Sequence, residues 1–307
     1  MQSVLSDKHF HNEAAAYRFV ESRVWPDGPV CPHCGGVERI SPMKGKSTRV
    51  GTYKCYQCRK PFTVKVGTVF ESSHVPLRHW LQAMFLICSS KKGISANQLA
   101  RTLGCTLKTG WFIGHRLREA MKGVGLEPLG GRGKIVEADE TYHGDKHVIT
   151  KRTRRGKAAH SSKRSIVALV ERGGHARTFH VDRADQVTVG KIVVENIARE
   201  SRLHTDESKL YDGSLMHVAG HERVKHSANE YVRGDVHTNT VEGVFSVFKR
   251  GMKGTYQHCA EKHLHRYLAE FDFRYNTRVA LGVNDLARTD LALKGIVGKR
   301  LTYRTAN

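Results

Sequence analysis

Three acidic side chains that lie far apart in the sequence have the types and surroundings needed for metal-dependent phosphate chemistry. Asp139 lies near the end of the strand-like stretch KIVEADETYHG, and Asp206 lies where the apolar part of a second strand-like stretch, SRLHTDES, stops. Acidic residues are also common after strands, where they start turns and cap helices. If the two strands are neighbours in one sheet, Asp139 and Asp206 lie side by side at the same end of it.

The third acid, Glu242, lies in a stretch with helical periodicity that begins at Asn239. At about 100° per residue, polar residues share one face of this helix: Asn239, Glu242, Ser246, Lys249 and Lys253. Such a face is usually only solvated. Glu242 follows Asp206 by 36 residues (242 − 206), however, and this separation allows a strand and a helix to return the chain to the strand end.

Three carboxylates at one strand end would suit the hydrolysis and transfer of phosphodiesters. Two Mg²⁺ (or Mn²⁺) ions about 3.5–4 Å apart activate a water or a 3′-hydroxyl and stabilise the leaving oxygen. Because Mg²⁺ prefers hard oxygen ligands and keeps several waters, two or three carboxylates suffice to hold the pair. Glu137, Glu140 and Asp212 are nearby acids and remain alternative ligands.

Two cysteine pairs near the beginning of the chain have the spacing of a zinc site. CPHC contributes Cys31 and Cys34, and CYQC contributes Cys55 and Cys58, with twenty residues between the pairs. Two such turns can present four thiolates to one tetrahedral Zn²⁺, and the strand–turn–strand pattern between them is typical of a zinc ribbon. A redox CxxC motif or chance pairing is the alternative. The ribbon predicts one structural Zn²⁺ and a binding module rather than a metalloenzyme.

Residues from Pro76 to Met121 have the periodicity of helices. Ser95 is a candidate cap for a short helix that ends at Gly104, and a second helix runs from about Leu107 to Met121. Two helices joined by a glycine-containing turn are the pattern of a helix-turn-helix, whose second helix enters the major groove of DNA. A plain helical hairpin packed in a core is the alternative. The candidate DNA contacts on the second helix are Lys108, Thr109, His115 and Arg116.

After a Gly-rich linker, the chain alternates strands and helices. Three strand-like stretches come first, followed by a helix and then by the strand before Asp206. After these come a helical stretch, a short strand within NEYVRGDVHT and the helix from Asn239. This order is that of an RNase H-like α/β core, a mixed sheet flanked by helices. The chain is therefore expected to be multidomain: an N-terminal helical segment (1–28), the zinc ribbon (29–72), the helix-turn-helix domain (73–122), a linker (123–133), the RNase H-like domain (134–280) and a C-terminal tail (281–307).

The charge of the chain indicates a polyanionic partner. The 307 residues include 51 Lys and Arg against 29 Asp and Glu, a formal net charge of +22, and such an excess favours nucleic acid. No stretch approaches the roughly 18 apolar residues of a membrane-spanning helix. The N-terminus lacks the features of a signal peptide, and the glycines form no nucleotide-binding motif. We therefore expect a cytoplasmic, nucleoid-associated protein that does not associate with a membrane and binds no nucleotide cofactor.

A purely basic segment between the first two strands of the α/β core is expected to contact the DNA backbone. Residues 146–164 contain eight Lys or Arg and no acid, and we expect them to form a mobile loop. Disordered filler is the alternative reading of this segment. The predicted DNA contacts in this loop and on the helix from Asn239 are Arg152, Arg154, Arg155, Lys249, Arg250 and Lys253.

Together, these motifs resemble the ISXO-type, zinc-ribbon-containing insertion-sequence transposases of the DDE, or RNase H-like, superfamily. The similar stretches extend over about residues 15–278 and include WPDGPVCPHCGG, YKCYQCRKPFTVKVGTVFESSHVPL, VEADETYHGDK, HTNTVEGVFSVFKRGMKGTY and HRYLAEFDFRYN. The resemblance implies an enzyme that cuts DNA at the inverted-repeat ends of its own element. It also implies that the freed 3′-hydroxyl is joined to target DNA.

By position, the resemblance assigns Asp139, Asp206 and Glu242 as the catalytic carboxylates and Lys249 as the lysine that contacts DNA near the cleaved bond. Asn239 is the alternative to Glu242, because some members of this group have Asn as the third catalytic residue. The partner is then double-stranded DNA, and the pairing of two element ends implies a homodimer or larger assembly on it. A catalytically inactive or domesticated DNA-binding regulator and a structure-specific nuclease such as a junction resolvase are the competing functions.

Overall fold

The computed structural model describes residues 3–123, 126–144, 148–153, 156–161, 163–214 and 216–302. The chain divides into two compact units, one formed by Met1–Lys122 with Thr277–Asn307 and the other by Gly123–Asn276. Within these described ranges, none of the helices combines the length and apolarity that crossing a bilayer requires.

A small antiparallel sheet follows the first helix of the first unit. Helix α1 (Glu13–Val24) precedes strands β1 (Ile40–Pro42), β2 (Tyr53–Cys55) and β3 (Pro61–Phe62), which pair in that order. The Trp25 ring lies edge-on against the rings of Tyr53 and Phe62, with centroid separations of 5.8 and 5.7 Å. Because so small a sheet buries little apolar surface, a metal bound beside it is the expected source of further stability.

The small sheet is followed in this unit by helices α2 (Leu77–Ser89), α3 (Ala96–Leu103) and α4 (Leu107–Ala120). The side chain of Ser95 caps α3 by accepting from the amide of Gln98, and Gly104 ends it in the left-handed conformation (φ 63°) that favours glycine. The side chain of Thr106 caps α4 through the amide of Thr109. The two helices and the turn are therefore present, while their identity as a DNA-binding helix-turn-helix stays a prediction.

The second unit is built around a five-stranded mixed sheet. The strands of this unit are β4 (Ile135–His143), β5 (Val148–Thr153), β6 (Gly156–Ser161), β7 (Arg164–Glu171), β8 (Ala176–Val181), β9 (Arg202–Thr205) and β10 (Gly220–Arg223). The order in the sheet is β10-β9-β4-β7-β8. Strand β9 is parallel to β4 and β10, whereas β7 is antiparallel to β4 and β8. The predicted mixed sheet is confirmed, and β4, which contains Asp139, is the neighbour of β9, which ends just before Asp206.

Helices pack on both faces of this sheet: α5 (Gln186–Asn196) on one face, and α6 (Asn239–Gly251) and α7 (Glu261–Asn276) on the other. Strand β7 shows the alternation that this arrangement requires. Ile166, Ala168 and Val170 belong to the apolar cluster with α6 and α7, and Val167 and Leu169 belong to the cluster with α5. Each fully buried large aliphatic side chain of this kind stabilises the fold by about 1.5–3 kcal/mol.

The last strand of the sheet lies elsewhere than the sequence analysis expects. It is Gly220–Arg223, whereas in NEYVRGDVHT only Arg233 and Val236 form an isolated bridge. The sequence GHER has no apolar alternation, so periodicity does not identify it as a strand. Its backbone pairs with β9 from Gly220↔Arg202 to Arg223↔Thr205, and this pairing makes it part of the sheet.

The basic segment 146–164 also differs from the expected loop. Strands β5 and β6 within it pair antiparallel from Val148↔Ser161 to Thr153↔Gly156. The β-branched run Val-Ile-Thr at the beginning of β5 favours this conformation. Of the predicted contacts, Arg152 lies in β5, and Arg154 and Arg155 lie outside the described residues.

The C-terminal residues include a helix that belongs to the first unit, although a tail is expected over 281–307. Helix α8 (Asp285–Lys294) is capped by Asn284, whose side chain accepts from the amide of Ala287. Buried Arg288 ties α8 to α2, because its Nη1 donates to the carbonyl oxygen of Cys88 at 2.8 Å. The helix is therefore part of the packed structure of the first unit.

Candidate active site

Strands β4 and β9 bring Asp139, in the middle of β4, beside Asp206, which directly follows the end of β9. The parallel register pairs Glu137 with His204, so two residues further along each chain Asp139 lies level with Asp206. Both side chains are half-buried. Asp139 Oδ1 accepts from the amide of Glu140 at 2.7 Å, and Asp206 Oδ1 accepts from the amide of Ser208 at 2.9 Å. The adjacency that the sequence analysis requires is thus observed.

The electrostatics of Asp139 link it to the other predicted acids. Burial raises the pKa of Asp139, and the negative charges of Asp206, Glu140 and Glu242 add to the rise, which reaches about 7. A carboxylate whose pKa is raised by its anionic neighbours gains from a bound cation, because the cation offsets both the repulsion and the lost hydration.

Glu242 reaches this site from the first turn of α6. Its side chain is exposed, and its Oε1 accepts from the hydroxyl of buried Thr238 at 3.0 Å. Asn239, the first residue of α6, is also exposed. The influence of the Glu242 charge on Asp139 favours Glu242 as the third ligand, and the choice between Glu242 and Asn239 stays a prediction.

Two of the alternative acids have protein partners. Glu140 Oε2 accepts from the hydroxyl of buried Tyr211 at 3.0 Å, and its Oε1 lies 3.4 Å from the hydroxyl of Ser208. Asp212 forms an ion pair with Arg223. Glu140 therefore holds the segment that follows Asp206, and neither acid is as available to a metal as the aspartates at the strand end.

Glu137, the third alternative, is fully buried and accepts hydrogen bonds at both oxygens from Arg172 and from the first turn of α6. The local sequence does not predict these hydrogen bonds of Glu137, because the donors come from residues 35 or more positions away. The sequence indicates only that Glu137 lies two residues before Asp139 and therefore on the same face of the strand.

The four cysteines form a site that fits one zinc ion. The Sγ atoms of Cys31 and Cys58 are 3.6 Å apart, as are those of Cys34 and Cys55. All four sulfur atoms lie within 4.8 Å of one another. Tetrahedral coordination at about 2.3 Å places sulfur atoms about 3.8 Å apart. The cluster supports the predicted structural Zn²⁺.

The three carboxylates are spaced more widely than the cysteines. In the described part of the chain, the cysteine cluster is the one group of three or more Cys, His, Asp or Glu whose ligand atoms all lie within 4.8 Å. A pair of ions about 3.5–4 Å apart requires a wider arrangement than one ion does. Carboxylates can hold Mg²⁺ without forming so tight a cluster, because the ion keeps several waters as ligands.

The basic residues predicted on α6 lie on the exposed part of the helix. Lys249, Arg250 and Lys253 are all exposed. Lys249 and Lys253 line a cavity of about 620 Å³ together with Arg164 from the beginning of β7. No acid lines this cavity among the described residues, so a phosphate could approach it without repulsion.

Two of the four predicted contacts on α4 are enclosed within the first unit. Lys108 is exposed and Thr109 is half-buried, but His115 and Arg116 are only 1% and 4% exposed. Arg116 donates to the carbonyl oxygens of Val69 (2.8 Å) and Glu71 (2.7 Å). Side chains as buried as His115 and Arg116 cannot contact a DNA groove in this conformation. The prediction that these two residues contact DNA is therefore corrected.

Comparison with known proteins shows similarity to transposases in two parts of the chain. Residues 128–276 match the ISXO2-like transposase domain, and residues 11–61 match the transposase zinc-ribbon domain. The chain is also 27% identical over 280 residues to the "Uncharacterized protein in transposable element ISH50" of Halobacterium salinarum. The aligned region covers 87% of this chain and 92% of that protein.

Both family matches are to parts of transposases, and the zinc ribbon precedes the transposase domain in the chain. The predicted resemblance to the ISXO-type insertion-sequence transposases is confirmed, because the chain carries both the ribbon and the transposase domain of that family.

Proposed function

We propose that this protein is the active transposase of an insertion sequence. It cuts DNA at the terminal inverted repeats of its element and transfers the freed 3′-hydroxyl into target DNA. The observation that carries the proposal is that Asp139 and Asp206 lie level on neighbouring strands, where burial and the charges of acids that include Asp206 and Glu242 raise the pKa of Asp139. The order of strands and helices supports an RNase H-like core.

In the proposed mechanism, Asp139 and Asp206 hold two Mg²⁺ (or Mn²⁺) ions and Glu242 completes the ligand set. When bound, these ions supply activation of the attacking oxygen and stabilisation of the leaving oxygen. Thr238 orients the Glu242 carboxylate through its hydroxyl. Lys249, exposed seven residues after Glu242, contacts the DNA phosphates beside the cleaved bond.

The remaining modules bind DNA in this proposal. The zinc ribbon and the α3–α4 pair recognise the terminal repeat, with Lys108 and Thr109 as contacts on α4. Arg152, Arg154, Arg155, Arg250 and Lys253 neutralise backbone phosphates, in keeping with the net charge of +22. The protein acts in the cytoplasm at the nucleoid, as a homodimer or larger assembly, because two element ends must be paired.

The experiment combines the full-length protein, Mg²⁺, a plasmid target and labelled DNA that carries the end of the element. Nicking at the end followed by joining to the plasmid is the expected outcome, and Asp139→Asn and Asp206→Asn abolish both. Asp212→Asn is the matched control, because Asp212 is a nearby acid that is paired with Arg223. Cutting of branched DNA without joining would indicate a resolvase, and binding without cutting would indicate the inactive regulator.

A further inference from the structure

The first turn of α6 is capped by a side chain from another element. The preceding residue, Thr238, makes no side-chain bond to the backbone of the helix. Glu137 Oε2, on β4, accepts instead from the amides of Thr240 (2.7 Å) and Val241 (3.0 Å). These are the amides that a local capping residue ordinarily satisfies. The Glu137 charge also lies at the positive end of the helix dipole.

This capping leaves the Thr238 hydroxyl available for another role. Had Thr238 capped α6 itself, its oxygen would face the helix amides. In the structure its Oγ1 instead donates to Glu242 Oε1 at 3.0 Å, and Thr238 is only 1% exposed. The Glu137 cap thus fixes the first turn of α6, and the Thr238 bond fixes the Glu242 carboxylate on that turn.

Glu137 is itself held rigidly. It is 0% exposed, and its Oε1 accepts from Arg172 Nε at 2.5 Å and from the Thr240 hydroxyl at 2.7 Å. Arg172 Nη1 and Nη2 also donate to the carbonyl oxygens of Asp235 (2.6 Å) and His237 (2.9 Å), in the segment that leads into α6. A buried carboxylate with this many donors is fixed in place, because its lost hydration is replaced only in that geometry.

Glu137 and Asp139 are two residues apart on β4, so their side chains leave the same face of the strand. One strand thus carries the first metal-binding aspartate and the clamp on the helix that carries Glu242. We propose that Glu137, held by Arg172, is a positioning residue that fixes α6 and thereby the spacing between Asp139 and Glu242. This inference rests on the proposed function of those acids, and it assigns Glu137 no direct metal contact.

The test compares Glu137→Gln with Glu171→Gln in the full-length protein. Glu171 is a matched control, because it is also a buried acid with an ion pair, to Lys134 at 2.7 Å, and it accepts from the Gly130 amide rather than from α6. In the metal-free protein, hydrogen exchange of the Thr240 and Val241 amides should become at least about tenfold faster in Glu137→Gln and stay unchanged in Glu171→Gln.

A second readout is the Mg²⁺ concentration that gives half-maximal cleavage of element-end DNA. We expect it to rise about tenfold in Glu137→Gln, with DNA affinity within about twofold of wild type. Thr238→Val should cause a similar rise while leaving the exchange of the two amides unchanged, because it removes only the bond to Glu242. This variant keeps the proposal testable if Glu137→Gln does not fold.

The inference is overturned if Glu137→Gln exchanges these amides at the wild-type rate, if Glu137→Gln and Glu171→Gln have equal effects, or if Thr238→Val leaves the Mg²⁺ requirement unchanged. A wild-type protein that shows no Mg²⁺-dependent cleavage would refute the proposed function instead. The exchange measurement does not need activity, so the two failures are distinguishable.

Discussion

At the scale of single residues, the site depends on carboxylates whose repulsion is balanced by their surroundings. Asp139 shows this effect clearly, because burial and three neighbouring acids raise its pKa to about 7. Glu140 and Glu137 flank it on β4 without competing for its role, since both are hydrogen-bonded to other elements. Charge repulsion at such a site lowers the stability of the metal-free protein and favours cation binding.

The raised pKa predicts how stability changes with pH in the metal-free protein. An ordinary Asp has a pKa of about 3.9, so between that value and 7 the folded state binds the proton more tightly than the unfolded state. The Asp139 contribution to stability is therefore present at low pH and lost as pH rises to about 7. Asp139→Asn removes this loss, and it should stabilise the protein by about 1–3 kcal/mol at pH 8 and by less at pH 5.

Urea unfolding of wild type and Asp139→Asn at both pH values measures this difference. Asp272, whose pKa burial also raises to about 7, is present in both proteins, so its contribution cancels in the comparison. If Asp139→Asn raises the free energy of unfolding equally at pH 5 and pH 8, then the ionisation of Asp139 does not cause the increase in stability.

At the scale of elements, close packing of α3 against α4 depends on Gly110. A Cβ at this position would lie 2.9 Å from the carbonyl oxygen of Ala96 and 3.0 Å from the Cβ of Ala100. Gly110→Ala should therefore destabilise the first unit by about 1–3 kcal/mol. Gly190→Ala in α5 is the control, because nothing lies within 4 Å of its Cβ, and it should stabilise its helix by about 0.5–1 kcal/mol.

Thermal or urea unfolding of the two variants checks this prediction. If Gly110→Ala is as harmless as Gly190→Ala, then α3 and α4 do not pack as closely as the structure indicates.

The elements also show what the sequence can and cannot predict. The strand-like stretch RSIVALVERGG correctly predicts β7, and the change from strand to acid correctly predicts that Asp139 and Asp206 lie side by side. The sequence pattern misses β10, because the GHER backbone joins the sheet through pairing with β9 and not through its side chains. The burial of Arg116 was equally hidden, since its acceptors at Val69 and Glu71 lie over forty residues away.

At the scale of the whole molecule, the net charge of +22 predicts strongly salt-dependent DNA binding. A protein that makes 6–10 phosphate contacts loses roughly 10³–10⁵ in affinity between 50 and 200 mM salt. Lys108→Gln should lower the magnitude of the log–log salt slope by about 1, because the exposed lysine releases a counterion on binding. Arg116→Gln should leave the slope unchanged and reduce stability, because the buried guanidinium bonds to the protein.

Fluorescence anisotropy with element-end DNA over this salt range gives both slopes. A slope change in Arg116→Gln that matches the change in Lys108→Gln would show that Arg116 contacts DNA after all.

The zinc ribbon contributes to the whole molecule through its metal. One zinc per chain is expected from elemental analysis, because four sulfur atoms lie within 4.8 Å of one another. Cys34→Ser should lose most of this zinc and unfold the ribbon, since its sheet is too small to be stable alone. Retention of a full zinc equivalent by this variant would contradict the assigned ligands.

The most direct test of the central claim is a metal-specificity switch at the three acids. Asp139→Cys, Asp206→Cys and Glu242→Cys are assayed for cleavage of element-end DNA in Mg²⁺ and in Mn²⁺, with Asp212→Cys as the control. Because Mg²⁺ requires hard oxygen ligands and Mn²⁺ accepts sulfur more readily, we predict that the three variants are inactive in Mg²⁺ and partly active in Mn²⁺. Wild-type cleavage in Mg²⁺ by the Asp139 or Asp206 variant would contradict the account.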